Sequence, residues 1–175
     1  MFVDPEKAVE ALDLRPGMKA ADFGCGAGFY TIPLARRLGE AGKVYAFDIR
    51  PEALGVARSK ARESGFSNVE TVRTDLEAEE ATHLKEKSVD AVLISNILFQ
   101  VENKAAVARE AFRILKPGGE LMVVEWAEEK NSFGPPVKAR LDRKAAEEFF
   151  LKAGFTFRKE FPAGEHHYGL IFKKP

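Results

Sequence analysis

The sequence predicts an α/β fold: a doubly wound, seven-stranded, mostly parallel sheet whose last strand runs antiparallel. Three observations predict it. Short apolar runs alternate with segments of helical periodicity, a pattern that needs crossover connections and a sheet covered on both faces. The last two strand-like runs are joined through Pro162-Ala163-Gly164, a connection too short for a crossover, so they pair antiparallel. The glycine-rich run Gly24-Cys25-Gly26-Ala27-Gly28 follows the first strand, at the end of the sheet where such folds bind ligands.

The elements follow in order. Residues 5–14 read as a helix, with Asp4 as N-cap and Pro5 in the first turn. Arg15-Pro16-Gly17 forces a turn before a short buried strand, residues 19–23. Residues 30–38 are helical, with Pro33 in the first turn and Gly39 as the stop. A second strand, 44–47, ends at Asp48. Pro51 then opens a helix that places Ala53, Leu54, Ala57 and Ala61 on one face. The third strand, 69–73, ends at Thr74-Asp75, and the fourth covers 89–94. A helix over 103–115 turns Ala108, Ala111, Phe112 and Leu115 inward. Pro117-Gly118-Gly119 breaks it before a fifth strand, 121–124. Residues 131–137 form a loop. Asp142 caps a helix carrying Ala146, Phe149, Phe150 and Ala153, and strands over 155–161 and 167–172 finish the chain.

The 175 residues are enough for one domain, read as 1–175. Hydrophobic residues make up 45% and charged residues 31%, the balance of an ordinary globular chain. The 27 basic and 27 acidic residues cancel, which argues against non-specific nucleic-acid binding while leaving a local patch open. Cys25 is the one cysteine, so a disulfide within the chain and a multi-cysteine metal site are excluded, and no metal site is expected. No run approaches the roughly 18 apolar residues of a membrane span. The first ten residues carry Asp4, Glu6 and Glu10 and do not read as a secretory signal, so a cytoplasmic location is expected.

The glycine run lets backbone approach a ligand with no Cβ in the way. Twenty residues after Gly28, Asp48 ends the next strand, where a carboxylate can accept both hydroxyls of a ribose. Asp75 ends the third strand, where it can receive the exocyclic amine of an adenine, or simply start a turn. The ordered set says more than any member alone. A dinucleotide enzyme prefers G-x-G-x-x-G, with a helix start that binds pyrophosphate. Here the spacing is G-x-G-x-G, and Asp22 stands two residues before the first glycine. A carboxylate there repels a pyrophosphate and suits a cofactor bearing an ammonium and a sulfonium.

These runs resemble the class I S-adenosylmethionine-dependent methyltransferases. The matching pieces are Asp22 to Gly28, Val44-Tyr45-Ala46-Phe47-Asp48, Thr74-Asp75-Leu76, Ser88-Val89-Asp90-Ala91-Val92 and Leu115-Lys116-Pro117-Gly118-Gly119-Glu120-Leu121. The likeness is strong over about residues 16–124 and is greatest to the small ubiquinone/menaquinone-biosynthesis type. It implies a Rossmann-like methyltransferase fold over the whole chain and S-adenosyl-L-methionine as cofactor. It also implies that Gly24, Cys25, Gly26 and Gly28 approach the methionine and ribose, with Asp22 near the methionine amine. Asp48 would hold the ribose, Asp75 and Leu76 would meet the adenine, Ile49 with Leu76 would sandwich its ring, and Ser95 would flank the methionine end.

Methyl transfer from a sulfonium is an in-line displacement that asks mainly for alignment, so a dedicated base is needed only for an acceptor protonated at working pH. The fourth strand ends in Ser95-Asn96-Ile97-Leu98-Phe99-Gln100, not in the Asn/Asp-Pro-Pro-Tyr/Phe run of methyltransferases acting on bases or glutamine. Asn96 and Gln100 are candidate acceptor contacts, or loop caps. Trp126 can stack on an aromatic or cationic acceptor, or cover the core. His166 and His167 are candidate bases or surface residues, and alternation puts them on opposite faces. Loop 131–140 is the one candidate lid, and a second subunit in a homodimer is another way to complete the acceptor pocket. The leading expectation is a small-molecule acceptor. A protein or RNA methyltransferase and a non-catalytic cofactor-binding module stand as alternatives.

Overall fold

The structure, a computed structural model, describes residues 3–128 and 134–175. Its elements run α1 (Pro5–Val9), β1 (Lys19–Phe23), α2 (Thr31–Leu38), β2 (Lys43–Asp48), α3 (Pro51–Glu63), β3 (Val69–Arg73), β4 (Val89–Ser95), α4 (Lys104–Ile114), β5 (Leu115–Trp126), a 3-10 turn (Val137–Ala139), α5 (Arg143–Lys152), β6 (Thr156–Pro162) and β7 (His167–Lys173). The seven strands form one sheet in the order β3-β2-β1-β4-β5-β7-β6. The β1–β2, β1–β4, β2–β3 and β4–β5 pairs are parallel, and β7 runs antiparallel to both β5 and β6. The expected α/β sheet with an antiparallel last strand is therefore what the chain forms.

Local chemistry accounts for most boundaries. The Asp4 carboxylate accepts from the Glu6 and Lys7 amides at the start of α1. Asn103 and Asp142 cap α4 and α5 in the same way. Two boundaries differ from the sequence reading by more than two residues. Helix α1 stops at Val9 rather than 14, because Leu12 and Leu14, two apart, are both buried, a spacing that an α-helix would send to different faces. Pro117-Gly118-Gly119 does not precede β5 but lies inside it as an irregularity. Between paired positions, β4 advances from Val89 to Ala91 while β5 advances from Leu115 to Glu120. Gly118, at φ +77°, donates to the Lys174 carbonyl beyond β7, and Lys174 donates back to Gly119.

Strand alternation splits the core into two layers. Phe23, Ile94, Val123, Leu170 and Phe172 face α4 and α5, where Val107, Ala111 and Phe150 pack. Ala20, Leu93, Met122 and Ile171 face α1 and α2, where Val9, Leu12, Leu34 and Leu38 pack. Helix α3 covers β2 and β3 through Leu54 and Ala57. Along the chain, strand order runs one way from β1 to β3 and the other way from β4 onward. That leaves a crevice at the carboxyl ends of the parallel strands, the topological switch point where such sheets bind ligands.

Candidate functional site

A cavity of about 770 Å³ occupies this crevice. Its walls come from the ends of β1 (Asp22, Gly24), β2 (Asp48), β4 (Ser95, Asn96) and β5 (Trp126), the segment after β3 (Asp75, Leu76), and the first residue of β7, His167. Because β7 runs against its neighbours, its start lies where the parallel strands end.

The three glycines after β1 all have positive φ, at +74°, +51° and +81°, and each for a different reason. A Cβ on Gly24 would lie 2.3 Å from the Ile97 side chain. A Cβ on Gly28 would lie 3.2 Å from the Ala57 backbone, so this glycine packs the turn on α3 and does not line the cavity. A Cβ on Gly26 would meet nothing nearer than the Arg50 guanidinium at 4.0 Å, and Gly26 presents open backbone to the cavity. The Gly24 and Cys25 amides both donate to the Phe47 carbonyl at 2.8 Å, which ties the turn to the end of β2. Burial pushes the Cys25 thiol up, and the nearby Asp22 and Asp48 carboxylates add to the rise.

Asp48 completes this tie. Its Oδ2 accepts from the Gly26 amide at 2.9 Å, and its Oδ1 accepts from the Arg50 amide at 2.9 Å and Nε at 3.3 Å. A carboxylate oxygen has two lone-pair sites, so Oδ2 keeps one free, while Oδ1 gains one when the exposed Arg50 side chain swings away. Asp22 is 2% exposed and accepts the Thr31 hydroxyl at 2.6 Å. Burial raises its carboxyl to about 7, the Thr31 bond opposes that rise, and nearby Asp48 adds to it. Tyr30 lines the cavity beside them, its phenol also pushed up by burial. Neither Tyr30 nor Thr31 stands out in the sequence, since a nine-residue spacing from Asp22 carries no local pattern.

At the far side of β2, Asp75 is exposed and its Oδ1 accepts from the Glu77 amide at 2.9 Å, so it builds a turn as well as facing the cavity. Leu76 is buried against the core, whereas Ile49 is 55% exposed, and both line the wall. Val3, Pro5 and Phe29 reach the same cavity.

The other half of the edge is built differently. Asn96 adopts φ +54°, and its backbone amide donates to the Val124 carbonyl at 2.9 Å. Its Oδ1 is buried with no partner among the described residues. Gln100 lines the wall and reaches back to the Asn96 carbonyl at 3.5 Å. Beneath this turn lies buried Glu125, whose Oε1 accepts from the Ile97 and Leu98 amides at 2.9 and 2.8 Å. Burial lifts its carboxyl to about 7 against the pull of those amides. The sequence places Glu125 just past the expected fifth strand, whereas it lies within β5, and nothing local marks it as the group that holds the Asn96 turn.

Trp126 and His167 pair across β5 and β7, with ring centroids 4.2 Å apart. The Arg140 guanidinium lies 5.5 Å from the indole centroid while donating to the Pro135 and Ala127 carbonyls, and Gly134 also packs on the indole. The Gly134–Arg140 part of the expected lid is thus fastened beside Trp126; residues 131–133 lie outside the described residues. Both His167 nitrogens are buried without a partner among the described residues, and burial lowers the imidazole to about 4. His166 does not line the cavity, and its carbonyl accepts from the Ala127 amide. Among the described residues no group of His, Cys, Asp and Glu is arranged to hold a metal ion.

The donor set fits a nucleoside bearing a cationic amino-acid tail: open backbone at Gly26, a carboxylate at each of β1 and β2, and apolar wall contributed by Ile49 and Leu76. Fold and site together resemble those of the S-adenosylmethionine-dependent methyltransferases. The chain belongs to the methyltransferase domain family, whose profile matches residues 14–169. It is 37% identical over 120 residues to the ubiquinone/menaquinone biosynthesis C-methyltransferase UbiE of Shewanella pealeana, a match covering 68% of this chain and 47% of that one. It is 36% identical over 132 residues to the enzyme of the same name from Cronobacter sakazakii, covering 75% and 51%. The chain thus spans about half the length of the curated relatives it matches. Among solved structures, a SAM dependent methyltransferase from Aquifex aeolicus superimposes with a TM-score of 0.88 at 27% identity, covering 98% of this chain and 89% of that one.

Proposed function

We propose that the protein transfers a methyl group from S-adenosylmethionine to a small-molecule acceptor. One observation carries this reading: Asp22, Gly26, Asp48 and Asp75 line one end of a single cavity that continues past the ends of β4, β5 and β7. Bound S-adenosylmethionine supplies a methyl group already activated by its sulfonium. The chain's own part is to bind, orient and exclude water. Asp22 would hold the ammonium, Asp48 the ribose hydroxyls, and Asp75 with the Leu76 backbone the adenine edge. Gly24, Cys25 and Ser95 would flank the methionine, and Gly28 would support the turn from behind.

The curated relatives are named as C-methyltransferases of ubiquinone/menaquinone biosynthesis, which supports a small molecule as acceptor and carbon as the methylated atom. The balanced charge of the chain argues against a nucleic-acid substrate. No helix among the described residues is long and apolar enough to cross a membrane. We read residues 1–175 as one cytoplasmic catalytic domain, with a homodimer as the assembly to look for by sedimentation.

The test is untargeted. Protein incubated with methyl-labelled S-adenosylmethionine and the small-molecule fraction of a cell extract is expected to release S-adenosylhomocysteine and label a small molecule. Label in protein or RNA alone would reassign the acceptor. Tight S-adenosylhomocysteine binding with no turnover in any fraction would make the chain a cofactor-binding module instead.

A further inference from the structure

Asp22 lines the cavity with one of its two carboxylate oxygens already taken. The Thr31 hydroxyl donates to Oδ2 at 2.6 Å, and among the described residues no hydrogen bond reaches Oδ1. Oδ1 is therefore the oxygen left for a ligand. Thr31 is fully buried and does not itself line the cavity, so whatever it does for a ligand it does through Asp22. Thr31 also opens α2. The N-cap of that helix, Tyr30, makes no side-chain bond, and its first turn carries no acidic residue. Asp22, nine residues earlier, is the carboxylate that the tertiary structure brings to this helix start. Unpaired amides at a helix start carry partial positive charge, and that charge and a donated hydroxyl both favour the ionised form of a carboxylate.

The other groups around Asp22 disfavour that form or leave it alone. Burial raises the carboxyl to about 7, the Thr31 bond opposes the rise, and Asp48 on β2 adds to it. Cys25 in the glycine turn and Tyr30 before α2 are pushed up and stay uncharged at neutral pH. The residues paired with Asp22 on the flanking strands are Ala46 and Leu93, both apolar. Arg50, at the start of α3, is bonded to Asp48, and among the described residues no cation pairs with Asp22. Thr31 is thus the one side chain among them that is hydrogen-bonded to Asp22. We infer that Thr31 is a positioning residue for the cofactor, holding the Asp22 carboxylate ionised and oriented so that Oδ1 meets the ammonium of S-adenosylmethionine. This rests on the methyltransferase reading above.

Calorimetric titration with S-adenosylhomocysteine, from about pH 5.5 to about pH 9, tests this. Thr31→Val keeps the shape and removes the hydroxyl, and Thr31→Ser restores it. The lost bond is to a charged group, so the rise in affinity with pH is expected to move up by about one pH unit in Thr31→Val. Affinity should fall roughly five- to tenfold at about pH 6.5 and less than about twofold at about pH 9, while Thr31→Ser follows the wild type. Added to Asp22→Asn, the valine change should have less than about a twofold effect at any pH. A purely structural role would weaken binding by one factor at every pH, and that result overturns the proposal. An unmoved profile overturns it too, as does a serine variant that behaves like valine or a valine effect undiminished by Asp22→Asn. Thr31→Ala replaces the valine variant if that one misfolds. The ¹³C signal of the Asp22 carboxyl in ligand-free protein must titrate at higher pH in the variant used. Failure of the wild type to bind S-adenosylhomocysteine overturns the parent reading and this one with it, whereas a wild type that binds beside unmoved variants overturns this one alone.

Discussion

Two carboxylates only a few ångströms from the glycine turn do different work because their surroundings differ. Asp22 is almost wholly buried, and its carboxyl, raised to about 7, is largely protonated below neutrality. A cationic amino-acid tail favours its ionised form, so binding releases a proton wherever the free carboxyl is protonated. S-adenosylhomocysteine affinity is therefore expected to rise as pH increases through about 7 and then level off. Calorimetry from pH 5.5 to 8.5, in about unit steps, checks this. A flat wild-type profile, or the same slope in Asp22→Asn, would contradict it. Asp48 is instead hydrogen-bonded to backbone on both oxygens and shares one with the exposed Arg50. Asp48→Asn is expected to weaken S-adenosylhomocysteine by about 1–3 kcal/mol, since it replaces a charged acceptor. Arg50→Ala removes an exposed ion pair, so fluorescence titration should show affinity within about 1 kcal/mol of wild type.

At the scale of elements, the β4, β5 and β7 half of the cavity depends on one turn held from below. The β4–α4 turn carries Asn96 in a left-handed conformation and leaves the Ile97 and Leu98 amides pointing at Glu125. The carboxyl of Glu125, raised to about 7 by burial, spends much of the neutral range protonated, so its acceptor oxygen matters more than its charge. Glu125→Gln keeps that oxygen and should cost less than about 1 kcal/mol in urea unfolding. Glu125→Ala leaves two buried amides unpaired and should cost roughly 1–3 kcal/mol for each. Equal losses in the two variants would mean that the packing, not the hydrogen bonds, holds the turn.

The whole molecule accumulates these local costs as a pH dependence of stability. The carboxyls of Asp22 and Glu125 are raised in the folded state from 3.8 and 4.5 to about 7. Their favourable contribution is present below the unfolded values and is lost as pH rises through about 7. His167 is lowered from 6.5 to about 4, so its contribution is present above 6.5 and is lost as pH falls through about 4. Two groups oppose one between pH 5 and 6.5; above 6.5 His167 contributes no further change, and the carboxylates alone carry the fall toward pH 7.5. The ligand-free protein is expected to melt at a higher temperature at pH 5.5 than at pH 7.5, and Asp22→Asn should narrow the difference. Saturation with S-adenosylhomocysteine at about 100 times its Kd should add about 2.7 kcal/mol by mass action. That gain should be achieved with less ligand at pH 7.5 than at pH 5.5, opposing the trend of the free protein.

Local patterns were enough to read much of this from the chain alone. β1 and β3 begin and end where the apolar runs do, and Asp4 and Asp142 cap the helices that their positions announced, because period and capping are properties of neighbouring residues. The glycine turn with Asp22, Asp48 and Asp75 was legible for the same reason, since each lies at or just past the carboxyl end of a strand in an alternating fold. What the three glycines do individually was not. Gly26 faces the cavity while Gly28 packs on Ala57, and that depends on where α3 lies. Likewise, His167 reaches the site only because β7 inserts between β5 and β6, and Glu125 acts on a turn 27 and 28 residues earlier in the chain. Sequence by itself determined the class of element and the glycine turn with its carboxylates at one end of the cavity, through short-range spacing. Strand order and register, set by long-range burial that no local pattern encodes, decided what stands at the β4, β5 and β7 end of the cavity.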